Sequence, residues 1–111
     1  MAVHCVFISS QAKDGAAIDT ALRERFDAVY RVGVEFWLVD TAHDAEELAG
    51  AMRAVLSARD KLFVAAMTRD FVPILSDAAK VWLTAPGRSF RVPARGRGLE
   101  EGGPSLFAKA A

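Results

Sequence analysis

Cysteine occurs once in this chain of 111 residues. Cys5 alone can close no disulfide within the chain and build no multi-cysteine zinc site, and its place inside an apolar run reads as a small buried hydrophobe. A reducing compartment, the cytoplasm, is the expected location. Long hydrophobic runs are missing as well. None approaches the roughly 20 apolar residues of a membrane span, and no charged segment precedes the first apolar run as it does in a secretory leader. No membrane partner is expected. An excess of one charge is also lacking, since the formal net charge is zero. The balance is uneven along the chain, however. Residues 1–83 carry nine Lys/Arg against twelve Asp/Glu (−3), and residues 84–111 carry five against two (+3). Only the tail therefore offers an electrostatic footprint for an anionic partner. Histidine is scarce, with His4 and His43 as the two available imidazole bases.

What is present, 52% hydrophobic and 25% charged residues, is the balance of one globular domain. Val3–Ile8, rich in Val and Ile and stopped by Ser9-Ser10-Gln11, predicts a strand covered on both faces. Ile18, Ala21, Leu22, Arg25 and Phe26 recur at helical spacing, with Asp14 or Asp19 suited to the positive end of the helix dipole. The run Tyr30–Asp40 is long for one strand, and Gly33 is where a turn divides it most cheaply. The second piece is then Val34–Asp40. Leu48, Ala51, Met52, Val55 and Leu56 form an amphipathic stripe, opened by a capping-box pair of Asp44 and Glu47. Lys61–Met67 is the next strand, and Leu75, Ala78, Ala79 and Trp82 make a last short helical stripe after Pro73. Residues 1–84 thus form the folded domain. Residues 85–111, with three of the four prolines and five of the eight glycines, form a loop-rich basic tail in which Ser89–Val92 is a candidate edge strand.

Strand, helix, strand, strand, helix, strand is the order of the ferredoxin-like βαββαβ domain, an α+β fold whose antiparallel sheet carries its helices on one face. Such a sheet should alternate apolar and polar residues, and this one is apolar on both faces. Something must cover the second face, and a sheet-to-sheet homodimer is the economical cover. Val6, Ile8, Trp37, Val39, Phe63 and Met67 are the residues expected on the dimer face. A doubly wound parallel sheet, with helices on both faces, is the competing architecture.

The segments FWLVDT (36–41), LSARDKLFV (56–64) and LSDAAKVWL (75–83), following the opening VFIS, resemble the small SinR-like proteins. These are relatives of the CRISPR-associated ferredoxin-fold protein that serves as a nuclease or as the dimeric scaffold of spacer integration. The resemblance covers residues 3–83 and implies a homodimer joined through its sheets. In the nuclease members an aspartate at the end of the first strand holds a divalent metal at the dimer axis. Here the corresponding stretch is Ile8, Ser9, Ser10 and Gln11, with Gln11 at the aspartate position. A neutral amide cannot anchor Mg²⁺ as a carboxylate does.

The expected function is that of a dimeric scaffold or interaction protein, related to nucleic acid and lacking nuclease activity and cofactors. The alternative is an endonuclease acting on RNA or DNA with Mg²⁺ or Mn²⁺ on relocated carboxylates. Asp40, His43 and Asp44 are the densest cluster of candidate ligands, with Asp70 as a further carboxylate. The simpler account of the first three makes Asp44 a helix cap and His43 a solvated loop residue. Ser9 and Ser10 lack a Gly-x-Ser-x-Gly elbow and read as turn formers. His4 is expected to be a half-buried strand histidine, and Trp37 and Trp82 packing residues. In the tail, Arg88, Arg91, Arg95 and Arg97 flank Phe90, a pattern able to contact phosphates and stack on a base.

Overall fold

The computed structural model describes residues 1–92, so Arg95, Arg97 and the rest of the tail lie outside the described residues. The apolar opening run forms β1 (Ala2–Ser9), followed by α1 (Gly15–Arg25), β2 (Ala28–Arg31), β3 (Phe36–Thr41), α2 (Ala45–Arg53), β4 (Lys61–Ala66) and α3 (Asp77–Leu83). Each helix starts on a side-chain acceptor. Asp14 accepts from the Ala17 amide, Ser76 accepts from the Ala79 amide, and Asp44 with Glu47 forms the reciprocal capping box. The long apolar run divides at Gly33 as expected, but β3 starts at Phe36 rather than Val34. The amides of Val32 and Gly33 both donate to the Phe36 carbonyl, which closes the turn and leaves Val34 outside the ladder.

The sheet order is β2-β3-β1-β4 with every neighbouring pair antiparallel. An antiparallel sheet with this order and these crossovers is compatible with the ferredoxin-like fold, and no neighbouring pair is parallel as the doubly wound alternative requires. Register fixes the faces. His4, Val6 and Ile8 of β1 lie beside Val39 and Trp37 of β3 and beside Ala66, Val64 and Leu62 of β4. This face meets α1 and α2 through Ile18, Leu22, Leu48 and Met52. Val6, Ile8, Trp37 and Val39 are consequently buried beneath the helices within the single chain. Four of the six residues expected on a dimer face belong to this core. Of that set, only Phe63 and Met67 lie on the second face.

The second face carries Val3, Cys5 and Phe7 of β1, Phe36, Leu38 and Asp40 of β3, Tyr30 of β2, and Phe63 and Ala65 of β4. Among the described residues a third helix, α3, accounts for part of its apolar character. The helix after Pro73 crosses back, so that Leu83, Trp82, Phe71 and Phe90 pack on Val3, Leu38, Tyr30 and Met67. The expectation of helices on one face only is thereby corrected: α3 covers about one end of the face that the sequence left for a partner. Ser89–Val92 is not a regular strand, but it is docked by two backbone bonds, Val3 amide to Ser89 carbonyl (2.8 Å) and Arg91 amide to Met67 carbonyl (2.7 Å). Among the described residues no helix is long and apolar enough to cross a membrane.

Candidate functional site

At the end of β1 the chain turns out of the sheet with Ser9 and Gln11 exposed. The turn is held from across the molecule. Asp60, between α2 and β4, accepts the Gln11 amide on Oδ1 (3.3 Å) and the Ser57 amide on Oδ2 (2.9 Å), while Ser10 Oγ accepts the Lys13 amide (3.0 Å). The Ser57 amide, with the Ser10 hydroxyl and the Gln11 amide adding to it, holds the Asp60 carboxyl below its ordinary range against the opposing effect of desolvation. The carboxylate that meets the Gln11 backbone is therefore occupied in joining two loops.

The candidate ligands Asp40, His43 and Asp44 are parted by the strand end. Asp40 points to the second sheet face, where it is 3% exposed. His43 sits beyond the strand with its ring edge against Phe26 and its Nδ1 3.8 Å from Glu47 Oε1, and Asp44 is committed to the capping box of α2. Asp40 and His43 both contribute to a shallow cavity of about 250 Å³ that also takes in Asp27. Even so, no group of three or more His, Cys, Asp or Glu side chains able to hold a metal occurs among the described residues. Asp70 is exposed in the loop after β4, where its amide donates to Thr68 Oγ1.

Arg88 is not free to meet a phosphate, contrary to the expectation for the tail. Gly87, in the left-handed region at φ 92°, turns the chain so that the Arg88 guanidinium lies 3.8 Å from the centroid of the Trp82 ring. Arg88 also donates through Nε to the Trp82 carbonyl (3.0 Å) and through Nη1 to Asp40 Oδ2 (3.4 Å). Asp40 Oδ1 has no partner among the described residues. Arg91 is exposed beside this cluster. His4 is fully buried, not half-buried, with Nδ1 2.9 Å from the Ala2 carbonyl. Cys5 is half-buried on the second face, where burial pushes its thiol pKa up.

A feature that sequence reasoning found only in Phe63, missing Phe7 and Phe36 beside it, lies at the uncovered end of the second face. Phe36, Phe7 and Phe63 stand on the neighbouring strands β3, β1 and β4, in register across the sheet. The Phe7 and Phe36 rings are stacked in parallel with centroids 4.4 Å apart, and Phe63 tilts toward Phe7 at 6.3 Å. Phe7 is 44% exposed and Phe63 60%. The signal was present in the alternation of each strand. It becomes legible once the register between strands selects which alternating set faces outward. Ser9, Glu35 and Lys61 complete a shallow cavity of about 150 Å³ against Phe7 and Phe63. Compared with protein-family models, curated proteins and solved structures, the chain finds no significant match.

Proposed function

We propose that the chain is a ferredoxin-like interaction protein of the SinR-like kind, a nucleic-acid-related scaffold without nuclease activity that works in the cytoplasm. The observation that carries this reading is the row Phe36–Phe7–Phe63, an aromatic surface left open on a sheet whose remaining apolar faces are covered. Large side chains on a rigid sheet, exposed together, mark a place where something docks. Support for a non-hydrolytic role comes from the residues at the end of β1: Gln11 stands at the aspartate position, and Asp60 is engaged by backbone amides. The test is incubation with single- and double-stranded RNA and DNA in Mg²⁺ and in Mn²⁺. Intact substrates are expected, and cleavage lost in Asp40→Ala would restore the endonuclease with relocated ligands.

A second reading, a sheet-to-sheet homodimer, draws on the same phenylalanines. Its surface has to be the uncovered end of the second face, joined by whatever α3 presents, because Val6, Ile8, Trp37 and Val39 are spent on the helices. Light scattering at micromolar concentration decides it, since the 12.0 kDa monomer mass removes the dimer and twice that mass establishes it.

A further inference from the structure

We infer that the row Phe36–Phe7–Phe63 is a stacking platform for two or three bases of single-stranded nucleic acid. The inference rests on the reading of the protein as a non-hydrolytic interaction protein and names the partner of that site.

Size argues for this occupant over a second copy. A phenylalanine offers on the order of 200 Å², so exposures of 44% and 60% at Phe7 and Phe63 leave about 200 Å² of ring surface between them. Adding the intermediate Phe36 brings the row to about 250 Å², whereas a stable dimer buries about 800 Å² on each partner. The row alone is too small for a dimer, which would need α3 and its approach, with exposed Val72, Ile74 and Val81, as well, and it matches the two or three bases that exposed aromatics on a four-stranded antiparallel sheet can stack. Geometry agrees. Phe7 and Phe36 cover one face of each other, and the tilted, 60% exposed Phe63 ring stands at the far end of the row. Charge is placed for a backbone. Lys61 lies on the same face two residues before Phe63, and exposed Lys13 and Arg59 stand in the two loops that Asp60 joins at this end. Against them stands Glu35. Ser9 supplies a hydroxyl at the rim.

The test is fluorescence anisotropy at low salt with a labelled octamer of uridine and one of thymidine, with an unlabelled duplex as competitor. Single strands are expected to bind and the duplex to compete poorly. Phe7→Ala and Phe63→Ala should each weaken binding by on the order of 10-fold or more, while Phe63→Trp retains it. With Lys13, Arg59 and Lys61 as phosphate contacts, log K should fall by about 2 per decade of salt, and the slope should flatten by about 0.7 in Lys61→Ala. Circular dichroism of Phe63→Ala, a change at an exposed ring, confirms that the variant is folded. Absence of binding, binding unchanged in folded Phe63→Ala, or equal competition by the duplex overturns the platform. A dimer mass that collapses in Phe63→Ala, with no binding of either octamer, assigns the row to a second copy and also overturns it. Binding accompanied by cleavage supports the platform while overturning the non-hydrolytic reading. No binding and no cleavage does the reverse.

Discussion

Two buried polar side chains show how single residues set this molecule's tolerances. Trp37 is fully buried, and its indole Nε1–H donates to Asp19 Oδ1 (3.1 Å), which a guanidinium from Arg23 also reaches at 2.8 Å through Oδ2. Removing the acceptor strands a buried donor, so Asp19→Ala should cost about 1–3 kcal/mol in urea unfolding. Burial alone raises the Asp19 carboxyl, but the donors from Arg23 and Trp37 outweigh it and hold it below its ordinary value of 3.8. A carboxyl lowered in the folded state adds stability above its unfolded pKa and loses it as pH falls through the folded one. The Tm difference between wild type and Asp19→Asn should therefore be constant above about pH 5 and shrink at pH values below 3.8. Asp40 is the opposite case, a buried carboxylate with one oxygen unpartnered among the described residues and the other in a 3.4 Å contact with Arg88. Arg88→Ala leaves that charge alone and should destabilise by about 3 kcal/mol. Asp40→Asn in the same background should recover much of the loss, a non-additivity that a double-mutant cycle measures.

At the scale of elements, the sequence was most readable where local chemistry decides. The stripe Leu48–Met52 with Asp44 and Glu47 in a capping box is present as α2, and Asp44→Ala should cost about 1 kcal/mol in thermal or urea unfolding. Val55 and Leu56 continue the stripe beyond the end of α2 at Arg53 and still pack on the core. Periodicity therefore located the buried face better than it located the end of the helix. The helix after Pro73 was visible as a stripe, but its destination was not. Nothing in Leu75, Ala78, Ala79 and Trp82 says which face of the sheet they will meet. That choice is made by Tyr30 against Trp82 (5.9 Å), by Leu83 against Val3 and Leu38, and by the turn at Gly87. The same gap hid the phenylalanine row. Alternation divides each strand into two sets, and only pairing between strands determines which sets share a side.

For the molecule as a whole, the consequence is a sheet with one face closed by α1 and α2 and the other closed partly by α3 and open at the phenylalanines. Among the described residues no group of three or more His, Cys, Asp or Glu side chains is placed to hold a metal. A ligand at about 1,000 times its Kd would add about 4 kcal/mol to stability. Millimolar Mg²⁺ or Mn²⁺ should leave the Tm of the protein unchanged, and a rise of several degrees at such concentrations would reveal a site the described residues do not assemble. The central position of β1 carries a further consequence, in time rather than in space. β1 lies between β3 and β4, and His4 finds its neighbour Ala66 only after the other described strands have been made. Closing that distance carries a loop entropy that slows folding. Until it is closed, a strand of Val, Phe and Ile waits with an unpaired edge, open during those moments to pairing with the wrong neighbour.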